Sequence, residues 1–496
     1  MRYLTVAFVF GVFLGAAGVV AADAPATVVP LSRFDAKGDG VTDDSTAIQK
    51  AADFAAANPN TLLAGEPGKV YVLRHEIMLH GDFRMDLHGA MLKPTGAVGH
   101  VIRRDPPKTV DYPVLGGLDK GSTQLTLQSS DGLQSGDVVR LSTKVDDGRL
   151  VPSYRTIQTV HGSAVDFSGP LVYRYPPATV LQKVPLQGEF SLKNGVIDGS
   201  AWTGATAAVW VGGYANVTVE GLTIQHATGG NTNWIIPQTN RYVRVRGTHV
   251  IDNSITISGE AINVWDAESV DISGNEVRGN GFGITVVRGD QVLIKDNVLT
   301  GDAKAHPITS VRGIKLMGCF GAEVRGNTIT NYDDAIRLTE TGNTLVYGNT
   351  AVDSSPGDPT SYAIGVSNQF PDREHQGGNR ILHNIIRGSG GSGIYLGAGS
   401  PACAVEDNEI SNVGNFGIGI FTDSPADHSI RHNTIENFDQ ANRGAAGIYV
   451  GAASTVEANT VSDQNKQKPA LRIVPQASAA RVNGNQTPNG NPIARN

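Results

Sequence analysis

From about residue 190 onward, short bursts of alternating apolar and polar residues recur along the chain. Each burst runs small, aliphatic, variable, aliphatic. Ala261-Ile262-Asn263-Val264 is one, and others begin at Ala208, Gly283, Gly313, Ala335, Ala363, Gly393, Gly417, Gly447 and Ala470. A period of two predicts strands whose aliphatics turn inward and whose variable residue turns outward. A second mark is an Asn set just ahead of a β-branched or aliphatic residue, at Asn275, Asn297, Asn327, Asn349, Asn384, Asn408, Asn433, Asn459 and Asn485, with steps of 22, 30, 22, 35, 24, 25, 26 and 26 residues. A near-constant step with occasional insertions is the mark of a solenoid, in which insertions become loops on the flank. Asparagine suits the turns, because it tolerates left-handed backbone and its amide can bond to copies above and below.

Other segments depart from this pattern. Thr42-Asp43-Asp44-Ser45 precedes Ala47, Ile48, Ala51, Ala52 and Ala55, which predicts a capped amphipathic helix able to close one end of the solenoid. Thr123 to Leu127, Gly136 to Leu141, Thr156 to Val160 and Val165 to Phe167 read as short antiparallel strands, a small inserted β-subdomain. The resulting division is 1–22 leader, 23–112 cap and first coils, 113–185 insertion, 186–486 main coils and 487–496 a frayed tail.

The leader reading rests on Arg2, an apolar run from Tyr3 to Val20, and small residues at Ala21, Ala22 and Ala24. It implies export to the periplasm or beyond, with no membrane association after cleavage. Composition agrees with a solenoid: 60 glycines against 14 phenylalanines in 496 residues, with 18% charged. A net charge of −7 gives no support for a nucleic-acid partner. Cys319 and Cys403 fall three coils apart, ~14 Å at ~4.8 Å per coil, too far to bridge. Oligomeric state is not legible.

The segment Arg33-Phe34-Asp35-Ala36-Lys37-Gly38-Asp39-Gly40-Val41-Thr42-Asp43-Asp44-Ser45-Thr46-Ala47-Ile48-Gln49 closely resembles the opening motif of the pectate-lyase-like superfamily. Gly65 to Leu73 is similar to that family's first coil, and the strands around Gly136 to Leu141 to the small subdomain of tailspike-type members. The resemblance implies an all-β fold, a right-handed parallel β-helix, and a polysaccharide partner; one scaffold there hosts hydrolases, lyases, epimerases and binders. Asp333-Asp334-Ala335-Ile336-Arg337-Leu338 is similar to the paired-aspartate strand of polygalacturonases. The coil before it, Ser310 to Leu316, lacks that family's further aspartate, Gly390-Gly391-Ser392-Gly393 has serine where the family has histidine, and the epimerase Asp-Pro-His motif is absent.

If the coils stack, the outward residues run Trp210, Asn263, Thr285, Lys315, Arg337, Gly365, Tyr395, Gly419 and Tyr449, with Glu260, Arg312 and Asp334 just ahead of their strands. The candidate catalytic residues are therefore Asp333, Asp334, Lys315 and Arg337, and the candidate substrate-binding residues Arg312, Trp265, Asn263, Glu260 and Tyr395. Cations there would neutralise a uronate carboxylate and make its C5 proton removable; hydrolysis would instead need two carboxyl groups ~6.5 to 9.5 Å apart. His306 and His375, both in loops, are further candidate bases. An ordinary solvated salt-bridge ladder accounts for the same residues. No metal ligand set is implied and no cofactor is certain, with calcium (Ca2+) left open, since carboxylates and carbonyls can hold it but no loop of recognised spacing occurs. The reading is an exported enzyme cleaving an acidic polysaccharide, a lyase or a glycoside hydrolase. The alternatives are a non-catalytic glycan-binding or adhesive β-helix and, third, a polyuronate C5-epimerase.

Overall fold

The computed structural model describes residues 27–143, 153–171, 174–229, 234–255, 259–279, 281–302, 311–354, 360–367, 377–421, 424 and 427–495. The leader, His306 and His375 lie outside them. Alternating strands stack in parallel into a single 40-stranded sheet wound into about sixteen turns. The variable residues of the bursts fall in one column: Asn263 pairs with Thr285, then Lys315, Arg337, Gly365, Tyr395, Gly419 and Tyr449. Their aliphatic neighbours form the inner column Ile262, Ile284, Ile314, Ile336, Ile364, Ile394, Ile418 and Ile448, each fully buried. At ~1.5 to 3 kcal/mol for each such side chain, this column is a main source of stability.

One rung escapes the repeat. Trp210 pairs not with the Asn263 turn but with Ile236, on a strand whose Ile235 pairs with Ile262. That turn reads Ile235-Ile236-Pro237-Gln238, without the small residue that marks the others.

The asparagines form a buried ladder. Asn327, for example, donates its backbone N–H (3.0 Å) and its amide (2.9 Å) to the Asn349 carbonyl oxygen, and Asn349 does the same to Asn384 (2.9 and 3.0 Å). The left-handed backbone, however, belongs to the preceding residue. Gly274, Asp296, Gly326, Gly348, His383, Asp407, His432, Ala458 and Gly484 have φ between 54 and 64°. The corner is turned one residue early, which leaves each asparagine extended enough to reach along the stack.

Helix Ser45–Ala57 buries Ala47, Ile48, Ala51, Ala52 and Ala55 in the core that runs through the solenoid. Asp43 accepts the Ser45 N–H at 3.0 Å, while Asp44 accepts the N–H groups of Lys37 (2.6 Å) and Gly38 (3.0 Å) and so ties the opening loop to the helix. Strands Val110–Gly116, Gln124–Leu127, Val138–Thr143, Ser153–His161, Ala164–Phe167 and Thr179–Lys183 close into an antiparallel barrel with its own core, including Leu125, Val139, Leu141, Phe167 and Leu181. Phe320, from the solenoid, packs against that core.

The carboxyl-terminal segment is not frayed. Ile493–Arg495 adds a last parallel strand on Leu471–Ile473, and the Asn491 side-chain Oδ1 accepts the Asp463 N–H at 3.0 Å. Cys319 and Cys403 are buried free thiols, and burial pushes each up to about 12.

Candidate functional site

Two adjacent strands, Arg312–Met317 and Asp334–Thr339, carry the densest charge on the outward sheet face. Parallel register sets Arg312 opposite Asp334 and Lys315 opposite Arg337. Asp334 is almost fully buried, and its Oδ2 lies 3.4 Å from Arg312 Nε and 3.1 Å from Arg337 Nη1. Burial raises its carboxyl above the ordinary range, against the pull of Arg337 and Arg312. Burial likewise lowers Arg312, with Arg337 adding repulsion, although a guanidinium remains charged.

Glu260 occupies the same column as Arg312 and Asp334, beyond Phe282. Asn263 donates to its Oε2 at 3.2 Å. Its carboxyl is raised by burial, which Lys315 and hydrogen bonds from Thr285 and Asn263 only partly offset. Three cations thus gather beside two buried carboxyls, of which Asp334 is paired with Arg312 and Arg337, so positive charge is in excess there. Glu260 and Asp334 are three turns apart, ~14 Å at ~4.8 Å per turn.

The remaining sequence candidates separate. Asp333 Oδ2 accepts the Val311 N–H at 2.8 Å, a bond that braces the turn entering the strand. Trp265 belongs to the barrel side, with the Arg288 guanidinium 5.4 Å from its ring centre. Arg288 also grips Asp266 through two bonds (2.7 and 2.9 Å), and Arg140 of the barrel approaches the same carboxylate at 3.4 Å. The Tyr154 hydroxyl donates to the Asp266 carbonyl, and Arg241 links Glu268 (2.6 Å) to Thr156 of the barrel (3.2 Å). The barrel is therefore bolted beside the strand that carries Glu260 and Asn263.

Asp290 stands in this seam, 3.8 Å from Arg155. Burial raises its carboxyl to about 7, Glu268 adds to the rise, and Arg155 opposes it. The folded protein therefore holds this proton where the unfolded chain releases it. The resulting stabilisation is complete below about pH 4 and is lost as pH climbs to about 7. In thermal melts across that window, Asp290→Asn should flatten the pH dependence of Tm by several degrees; an unchanged slope would exclude this role.

Tyr395 has company that the repeat did not reveal. Its ring stacks on Tyr362 (4.9 Å, 10°) and meets Phe421 (4.8 Å), and Phe416 and Tyr449 continue the contact at 5.0 Å. Glycines make the room: a side chain at Gly365 would run into the Tyr362 ring, one at Gly397 into Tyr395 and one at Gly419 into Phe421. A polar groove of 780 Å³, lined in part by Asn331, Asp353, Ser389, Asn412 and Gln440, follows the corner between turns. Among the described residues no three His, Cys, Asp or Glu side chains gather to hold a metal ion, and no helix is long and apolar enough to cross a membrane.

A family model described as a right handed beta helix region matches residues 260–396 and 372–491. The match and the parallel stacking of the strands agree: the solenoid is a right-handed parallel β-helix. A search of curated protein sequences gives no match. Among solved structures, a tailspike protein of Pseudomonas phage LKA1 is 12% identical, with 92% of this chain and 81% of that one covered and a TM-score of 0.41. The A-module of a mannuronan C-5 epimerase from Azotobacter vinelandii is 11% identical over 93% and 95%, with a TM-score of 0.36. An exopolygalacturonase from Thermotoga maritima is 14% identical over 89% of each chain, with a TM-score of 0.34. Likeness this distant carries no activity from one chain to another.

Proposed function

We propose that this protein binds and cleaves an acidic, uronate-containing polysaccharide on the outward sheet face around Lys315 and Arg337, by β-elimination. The observation that carries the reading is the convergence of Arg312, Lys315 and Arg337 on two adjacent turns beside a buried carboxyl. A uronate carboxylate received by Arg312 and Arg337 has a more acidic C5 proton. Lys315, as the neutral amine, would take that proton. The C5–H electron pair then forms the C4=C5 double bond as the C4–O bond breaks, and the departing oxygen takes a proton from water or from Glu260, whose carboxyl burial raises. Asp334 acts through the arginines that it holds. The amino-terminal leader would place the reaction outside the cytoplasm.

Hydrolysis is less well served. Its acid and base carboxyl groups stand ~6.5 to 9.5 Å apart, whereas Glu260 and Asp334 are separated by ~14 Å of stacked turns. One experiment separates the readings: purified protein is incubated with polygalacturonate, alginate and mixed uronate polymers, and both the ultraviolet absorbance of unsaturated ends and the release of reducing ends are followed. Rise of both supports elimination. Reducing ends without absorbance would replace it by hydrolysis, and binding with neither would leave a glycan-binding protein.

A further inference from the structure

The outward face changes character abruptly at the turn after Arg337. On the cluster side, two turns hold Arg312, Lys315 and Arg337. On the other side, the next outward positions are Tyr362, Gly365, Ser392, Tyr395, Phe416 and Gly419, followed by Phe421 and Tyr449. Among the described residues these positions carry no charge of either sign, and the next one, opposite Tyr449, is Arg472. The uncharged stretch continues for about three more turns, ~14 Å, which is room for a few pyranose rings beyond the charged one.

Such a floor is built rather than incidental. Five rings in contact are accommodated only because glycine stands at 365, 397 and 419. Tyr395, Phe416, Phe421 and Tyr449 remain partly exposed, so the strip is a continuous apolar surface at the edge of the cationic site. Aromatic surface suits the C–H faces of neutral sugars. It gives nothing to a carboxylate, which would lose hydration there without gaining a partner.

From this partition we infer that the polymer is an acidic heteropolysaccharide, in which an isolated uronate is followed by a run of neutral sugars, and not a homopolyuronate. A homopolyuronate would bring a carboxylate over the aromatic strip at every residue. The heteropolymer places its lone carboxylate between Arg312, Lys315 and Arg337 and its neutral run over Tyr395, Phe421 and Tyr449. This inference rests on the reading of the cationic cluster as the uronate site, and it names that site's substrate class.

The test compares affinity for two probes at one salt concentration, because polyanion binding depends on salt: polygalacturonate, and a gellan-type polymer in which a lone glucuronate alternates with runs of neutral sugar. The expected result is about tenfold tighter binding of the gellan-type polymer. Phe421→Ala and Tyr449→Ala should each cost about tenfold on that polymer alone, a loss typical of a buried aromatic contact. Tyr449→Phe, which keeps the ring, should bind as the parent does, and unchanged Tm values identify variants that fold. Equal affinity of the parent protein for both polymers would overturn the inference while leaving the acidic-site reading in place, as would equal weakening on both by a folded Tyr449→Ala variant. If Arg337→Ala alters the affinity for neither, the acidic-site reading itself fails and takes the inference with it.

Discussion

Asp334→Asn should lower turnover of an acidic polysaccharide on the order of 100-fold while leaving its affinity unchanged or tighter. The carboxyl is nearly sealed from solvent and lies within 3.4 Å of Arg312 and 3.1 Å of Arg337. An amide of the same shape removes the charge that holds both guanidinium groups in place, and displacement of about 1 Å near reacting atoms is enough for a 100-fold loss. Binding should respond in the opposite direction, since the cluster gains a net positive charge and the polymer is an anion. The fold should also weaken. Removing one member of a buried ion pair costs about 3 to 5 kcal/mol, and the partial exposure of both arginines places the expected loss nearer the lower end. Initial rates, equilibrium binding and thermal melts on one preparation separate the three effects. Full turnover in the variant would remove Asp334 from the machinery, and weaker binding would show that the carboxylate, not the arginines, meets the substrate.

The prominence of Asp334 was visible in the sequence, but the difference between it and Asp333 was not. Both stand at the same strand start and both are buried, yet one braces a turn through the Val311 N–H and the other faces two arginines. Side-chain direction at a strand entrance depends on how the preceding turn closes, and nothing in the order Tyr332-Asp333-Asp334-Ala335 encodes that closure. The vertical register was legible for a different reason. Inner isoleucines recur once per turn, and a slip of one residue would turn every one of them to solvent. That constraint alone sets Lys315 against Arg337.

Where the repeat loses its signature, a turn is not legible in the sequence. The rung at Ile235 and Ile236 has no small residue and contains Pro237, so Trp210 and Asn263 looked adjacent when a full turn lies between them. The surroundings of Trp265 are not legible in its strand either, because its partner Arg288 and the neighbouring barrel come from segments whose approach is a tertiary event. The aromatic strip was hidden because its cause is an absence of side chains. Gly365 and Gly419 read as mere gaps in the outward column until the rings of Tyr362 and Phe421 are seen occupying them.

The asparagine ladder leads to the largest effect on stability. Asn349→Ala removes an oxygen that accepts the Asn327 N–H at 3.0 Å and the Asn327 amide at 2.9 Å, and a donor that reaches Asn384 (3.0 Å) and the Val324 carbonyl (2.9 Å). All these groups are inside the stack, where water cannot replace the lost partner. With ~1 to 3 kcal/mol for each buried polar group left unsatisfied, a total loss of about 3 to 5 kcal/mol is expected. Asn485 provides the control. It accepts the Asn459 N–H and amide in the same geometry (3.0 and 2.9 Å) but is partly exposed near the end of the solenoid. Solvent can take over its role, so Asn485→Ala should cost about 1 kcal/mol. Asn349→Asp should resemble the alanine variant, because its second oxygen would face the Asn384 carbonyl oxygen without a proton to share. Urea unfolding of the three variants gives the comparison directly. Equal losses at 349 and 485 would mean that burial does not set the strength of the ladder, and a stable Asn349→Asp variant would mean that the donated bond to Asn384 contributes little.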